Sequence, residues 1–298
     1  MALSTDKIKL PTEVTMSVIK GASSQSTIAS LSPSTPQLFQ NTENLLFRAQ
    51  AEAEVVGELG DKGGMEYSIP AVPGKIVKVQ TTTRVSNELE WADEDARLQI
   101  MTNIQEDQGK AIARSLDYVV YHGVNPRTGA VMPGYTALST SAQQVTQITP
   151  ITALSPSDDL DALVSKLFDD WTINGLALSP KFTDELRKIR LESGARMYDI
   201  PMNGQPGSIE GIPAQMSNTV NGKVLAVPTN VLAFMGDFSM IKWGMVRDMY
   251  ADMITMGDPD GAGDLKRTNE IAYRTEAVFS YAVLDPTAFA VLKAASGA

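Results

Sequence analysis

The residues that decide the fold are WADEDARLQIMTNIQEDQGKAIARSLDYVVYHG, positions 91–123. They predict one long helix. Asp93 fits the N-cap, with Glu94 and Asp95 in the first turn, where the positive end of the helix dipole favours negative charge. Leu98, Met101, Ile104, Ala111, Ile112, Leu116, Val119 and Val120 recur close to the helical period. His122 and Gly123 suit the C-terminal end, and Pro126 follows soon after. At a rise of ~1.5 Å per residue the rod is about 45 Å long. Its apolar stripe is too irregular for sustained heptads, which argues against a coiled coil and for a strut with one face laid on a sheet. The polar middle, Gln105 to Lys110, is expected to face outwards. Gly109 is the weak point, where a bend would fall.

Composition narrows what such a strut can serve. The chain has 298 residues, enough for a large core and two domains, with 43% hydrophobic and 20% charged residues, as in a soluble folded protein. There is no cysteine, which excludes disulfides and thiolate metal sites, and the single histidine, His122, cannot build a histidine metal cage. Twenty-five basic against 35 acidic residues give a net charge of −10, with no clustered run of Lys and Arg. A protein of this kind can surround nucleic acid but is not built to grip its phosphates. No apolar run reaches the length of a membrane span, and MALSTDKIKL lacks a signal-peptide core, so synthesis in the cytosol is expected.

On the N-terminal side of the strut, residues 1–44 are rich in Ser, Thr and Gln and read as a flexible arm that, if ordered, must lie on this chain's own body or on a neighbour. From Leu45 two extended stretches flank the tip Gly57-Glu58-Leu59-Gly60-Asp61-Lys62-Gly63-Gly64, and KIVKVQTTTRV (75–85) alternates as a half-buried strand does. A hairpin with so thin an apolar face cannot fold alone and should project onto a partner.

On the C-terminal side, a turn-rich junction leads to a helix expected over Asp158 to Trp171, capped by Ser155 or Ser157, with Leu160, Leu163, Val164, Leu167 and Trp171 on one face. A buried strand is expected at Gly175–Leu178, and Ser179-Pro180 open a third helix. Loops and two strands follow, completing a small α/β unit. Gly236 to Met256 reads as a helical start and a long extended run, DPDGAGD as a hairpin turn, and NEIAYRTEAVFSYAVLD as a long returning strand. Pro286 is expected to open a final short helix, TAFAVLKAA.

Little here points to catalysis. Asp258 and Asp260 are spaced as in a calcium loop, but an EF-hand also wants an oxygen ligand and a glutamate where Ala262 and Asn269 stand, so a polar turn is expected. The glycine-rich pieces do not join a strand to a helix start, which excludes phosphate cradles. His122 is expected to be a helix-dipole partner, and Met245, Met249, Met253 and Met256 to be packing residues. No cofactor or metal site is expected, nor any enzyme activity.

In order along the chain, these segments resemble the major capsid protein of tailed double-stranded-DNA phages, the Hong-Kong-97-type capsid fold. The pieces that carry the resemblance are the arm, the hairpin, KIVKVQTTTRVSNELEWADE, the helix ending LDYVVYHGVNPRTG, SPKFTDELRKIRLESGARMYDI with SIEGIPAQMSN, FMGDFSMIKWGMVRD, and NEIAYRTEAVFSYAVLDPTAFAVLKA. Asp117, Gly123 and Gly129 match the acidic residue, glycine and turn common at the end of that family's spine helix.

The resemblance implies an α+β fold with four parts: an N-terminal arm (1–44), an E-loop hairpin (45–80), a peripheral domain with the spine helix (81–124 and 246–282), and an inserted α/β axial domain (125–245 and 283–298). It implies a structural protein that self-assembles into hexamers and pentamers of an icosahedral shell around double-stranded DNA, without reading its sequence. Portal, scaffolding or decoration proteins would be partners, with no fused scaffolding segment. The place would be the virion capsid, and the host cytoplasm during assembly. Some members of the family weld their shells by isopeptide bonds. The matching positions are Lys62 as the amine, Asn269 as the amide and Glu276 as the base, drawn from different subunits. The nearest alternative is an encapsulin-type nanocompartment shell. A cytosolic α/β enzyme is the alternative of another class.

Overall fold

A computed structural model of the chain describes residues 26–35, 43–46, 53–57, 63–64, 69–87, 94–148, 155–201, 206–222 and 229–295. From the N-terminus come a short helix α1 (Thr27–Leu31) and strands β1 (Glu43–Leu45), β2 (Ala71–Pro73) and β3 (Lys75–Ser86). The long helix α2 (Glu94–Asp117) passes into a π-helical turn at Tyr118–His122. Next are α3 (Leu138–Ser141), β4 (Gln143–Thr146), α4 (Ser155–Leu167), β5 (Gly175–Leu178) and α5 (Pro180–Lys188). Then come β6 (Ser208–Ile209), β7 (Ile212–Met216), β8 (Val231–Gly236) and β9 (Ile241–Ile254), followed by α6 (Leu265–Thr268), β10 (Glu270–Val283) and β11 (Phe289–Lys293).

The decisive helix is where the sequence places it, although Asp93 lies outside the described residues. It ends as expected: Gly123 adopts a left-handed φ of 62° and its N–H closes on the Val119 carbonyl at 3.0 Å. The last turn widens into a π-turn, which rotates Tyr118 to His122 into the core, where all five are buried. Tyr121 stacks on Phe234 with ring centres 4.4 Å apart.

Beneath α2 lies an antiparallel sheet in the order β3-β10-β9. Ile112 of the helix packs with Met249 and Ala277 of that sheet, flanked by Val79 and Met245, as the apolar stripe requires. The outward-facing middle is corrected at two positions, Gln108 and Gly109, both of which are buried. Gln108 is buried: its Nε2 donates to the Thr83 hydroxyl at 2.9 Å and the Tyr273 carbonyl at 3.2 Å, and its Oε1 accepts from the Thr275 hydroxyl. Inward Thr side chains on β3 and β10 give the amide partners, so burial leaves nothing unsatisfied.

The second sheet runs β4-β11-β8-β5-β7-β6 and mixes parallel pairs (β4 with β11, β5 with β7) with antiparallel ones. Alternate residues of its central strands enter separate cores. Leu176, Leu178, Met235, Ala290 and Leu292 pack under α4 and α5 with Leu160, Leu163, Leu167, Phe182 and Leu186. Ala177, Phe234, Phe289 and Val291 pack on the other face with Val119, Val120 and Tyr121, and with Val77, Phe279 and Tyr281 of the first sheet. A strand buried on both faces reads as a continuous apolar run.

That explains the main correction to the secondary structure. The expected final helix over TAFAVLKAA is a 3-10 turn at Pro286–Ala288 followed by strand β11, pinned between β4 and β8. Similarly, the helical start near Gly236 is only the 3-10 turn Phe238–Met240, capped by Asp237. The second helix ends at Leu167, short of Trp171. Gly175 and Gly236 stand opposite each other in β5 and β8; a Cβ on Gly175 would lie 2.5 Å from the Phe238 ring, and one on Gly236 would meet the Ala288 carbonyl and Phe289.

Candidate assembly site

The turn DPDGAGD sits where β9 meets α6, at the end of the first sheet. Arg84 of β3 lies opposite Ala272, whose small side chain leaves its guanidinium free to reach that turn. Its Nε bonds both carboxylate oxygens of Asp260, at 3.0 and 2.9 Å, and Nη1 meets Glu270 at 3.0 Å. Nη2 donates to Asp258 at 3.2 Å, to Asp260 and to the Gly263 carbonyl at 2.9 Å. Hydrogen bonding to Arg84 holds Asp260 down at about 2. From the next strand, Arg274 donates to the Pro259 carbonyl and to the Thr82 hydroxyl at 3.1 Å. The carboxylates suggestive of calcium are therefore committed to an arginine, and among the described residues no cluster of metal-ligating side chains occurs. Arg84 escaped the sequence reading. Its only signal was a cation near the end of β3, ahead of a turn with three aspartates far along the chain.

The three residues matched to a cross-link are not gathered within one chain. Lys62 lies outside the described residues. Asn269 caps α6 in a left-handed conformation (φ 56°), just before the strand it was expected to open, and its side chain is exposed. Asn87 holds it through N–H to the Asn269 carbonyl at 2.9 Å and Nδ2 to its Oδ1 at 3.4 Å. Glu276 lies seven residues further along β10, roughly 20 Å away at the rise of an extended strand. Its register partners are Tyr250 on β9 and Gln80 on β3. Lys78 Nζ sits 3.0 Å from Glu276 Oε2, Arg274 Nη1 is 4.0 Å from Oε1, and the Tyr250 hydroxyl donates to Oε2. Burial alone would raise the Glu276 carboxyl, but the Tyr250 and Lys78 hydrogen bonds outweigh it and hold the group below its ordinary range.

His122, the expected dipole partner, is instead buried, with Nε2 3.0 Å from the Thr219 carbonyl; burial lowers its pKa.

At the opposite edge, β1 and β2 pair antiparallel (Glu43 with Pro73, Leu45 with Ala71) as a two-stranded sheet separate from the other two. Leu45, Val55 and Ile69 are exposed along the described part of this hairpin. No helix among the described residues is long and apolar enough to cross a membrane.

Comparison with known proteins places this architecture. The family model described as the phage capsid family matches residues 8–294. A solved chain of Mycobacterium phage Ogopogo is 33% identical with a TM-score of 0.81, covering 91% of this chain and 92% of that one. A chain of Gordonia phage Cozz is 30% identical with a TM-score of 0.77, covering 91% and 87%. A structure titled as the capsid of a native GTA particle shares the fold at 13% identity and a TM-score of 0.64, covering 99% and 95%. No curated protein matches. With a family model spanning nearly its whole length and phage structures superposing across it, this chain belongs to the phage capsid family and is a structural capsid protein of the Hong-Kong-97-type fold.

Proposed function

We propose that the chain assembles as hexamers and pentamers into an icosahedral shell that encloses double-stranded DNA, in the host cytoplasm, with portal and scaffolding or decoration proteins as partners. The observation that carries this reading is the β1–β2 hairpin. A two-stranded ribbon is marginal in water by itself, and this one presents Leu45, Val55 and Ile69 to solvent in the isolated chain. Exposed apolar groups of this size mark contact surfaces. Among the described residues the ribbon pairs with no further strand and meets the body of the chain where β2 lies beside β10, which leaves its exposed side chains for a neighbouring subunit to cover. The net charge of −10 keeps the shell from adhering to DNA. The four-part division into arm (1–44), hairpin (45–80), peripheral domain (81–124 and 246–282) and axial domain (125–245 and 283–298) is part of the same proposal. The double substitution Leu45→Glu with Val55→Glu tests it: the variant should fold, as judged by circular dichroism, and sediment as small species. Unchanged assembly would contradict the reading.

Cross-linking is a separate proposal. In the step, the Lys62 amine of one subunit attacks the Asn269 carboxamide carbon of another. The new N–C bond replaces the carboxamide C–N bond, ammonia leaves, and a carboxylate first takes the ammonium proton. The exposed Asn269 amide suits this. Glu276 would have to exchange its Lys78 partner for the incoming lysine before serving as base. Intact shells run on a denaturing gel should give ladders above 32.1 kDa; a single subunit band excludes the bond.

A further inference from the structure

Asp117, the last residue of α2, is fully buried, yet among the described residues it pairs with no cation. Its partners come mostly from the arm. Oδ1 accepts from the Ser26 hydroxyl at 2.5 Å and the Ile28 N–H at 3.3 Å. Oδ2 accepts from the Thr27 N–H at 2.9 Å, the Thr27 hydroxyl at 3.0 Å and the Thr219 hydroxyl at 2.5 Å. Four of these five donors therefore belong to residues 26–28. Tyr121 adds a 2.9 Å hydrogen bond to the Thr27 hydroxyl, and Ile28 enters the core shared by both sheets with no exposed surface. Without the arm, Asp117 would keep, among the described residues, only the Thr219 hydroxyl of its five donors, and a carboxylate stripped of donors is costly until water replaces them. Burial pushes its carboxyl up, and the Ser26, Thr219, Thr27 and Ile28 hydrogen bonds pull it back. The socket is complementary to the arm and not to itself.

The rest of the segment crosses from one sheet to the other. Helix α1 lies beside β5 and β7 of the six-stranded sheet. A few residues later the Ser32 hydroxyl donates to the Ile241 carbonyl at 2.8 Å, Trp243 Nε1 donates to the Ser32 carbonyl at 3.1 Å, and the Thr35 N–H donates to the Trp243 carbonyl at 2.9 Å, all on β9 of the three-stranded sheet.

We propose that Asp117, Tyr121 and Thr219 form a peptide-binding socket whose ligand is this chain's own Ser26–Thr35 segment, recognised as two hydroxyl residues and a β-branched apolar residue, and that the docked segment is a strap locking the two sheets against each other. Undocking withdraws Ile28 from the core that the two sheets share and loosens that seam, while the strands of each sheet stay paired, since neither sheet takes a strand from the strap.

The test uses the full chain. Its lack of cysteine allows spin labels at Gln80→Cys on the three-stranded sheet and Lys181→Cys on α5, both exposed. Hydrogen exchange and the label-to-label distance are compared in the parent, in Asp117→Asn and in Ser26→Ala with Thr27→Val, which leaves the core side of the socket intact. Amides 27–35 should exchange more than about tenfold faster in both variants, the factor expected from losing one hydrogen bond to a charged group, while β8 and β10 keep their protection. The distance distribution should broaden. Unchanged strap exchange in the arm-side variant overturns the socket. A freed strap with an unchanged distance distribution overturns the lock.

Discussion

Gln108 on the long helix donates from Nε2 to the hydroxyl of Thr83 on β3, 2.9 Å away, and so fixes the register of helix on sheet with a polar contact inside an otherwise apolar seam. The Thr275 hydroxyl completes the bridge to β10. Substituting Gln108 by Leu removes the amide and leaves the buried Thr275 hydroxyl without this acceptor, while the half-buried Thr83 can turn to water. Denaturant unfolding should show a loss of about 1–3 kcal/mol. No loss would mean the contact is incidental to the seam.

Gly175 and Gly236 make a graded pair. Gly175→Ala brings a Cβ to 2.5 Å from Phe238, a ring that can shift, so a cost of about 1–3 kcal/mol is expected. Gly236→Ala meets the Ala288 backbone carbonyl at 2.2 Å, which cannot move without breaking β11 from β8. It should reduce soluble yield far more than Gly175→Ala, and a reversed order would contradict the packing described.

His122 supplies a pH signature. Its pKa is lowered by burial, so the folded chain favours the neutral ring. Stability from this group is fully present above the ordinary value of 6.5 and is lost as pH falls through the lower folded value. Thermal melts of the parent should fall across that window, and His122→Gln should flatten the fall. Equal slopes would assign the acid sensitivity elsewhere.

Arg84 governs a second, more acidic window. Asp260 is depressed from 3.8 to about 2, so its stabilising contribution is present above 3.8 and disappears as pH falls towards about 2. Arg84→Met should lower stability at neutral pH and make the remaining acid dependence shallower, measured by denaturation at a series of pH values. An unchanged acid slope would sever the link between Arg84 and the turn.

The strut, the strand Gly175–Leu178, the helix opened by Ser179-Pro180 and the returning strand β10 were legible because their signals are local: period, cap and turn chemistry. What escaped depended on distant partners. Phe289 to Leu292 read as a helix after Pro286, because a run buried on both faces has the same apolar look in either form, and only the flanking β4 and β8 decide it. Five residues, Thr27 to Leu31, are too few for a helix by propensity. They hold because Asp117, ninety residues on, accepts from their N-terminal amides. Gln108 looked solvent-facing in a run of polar residues, and its partners lie on two strands far apart in sequence. At the cross-link positions the chemistry was read by likeness to the family, and the turn's geometry shows Asn269 before the strand rather than on it.

The central claim is that this chain is a shell-forming capsid protein. Electron microscopy of the purified full-length chain tests it most directly. Closed shells with hexamer and pentamer arrangement are the predicted result, and a uniform small oligomer under conditions where the chain is folded would contradict the account.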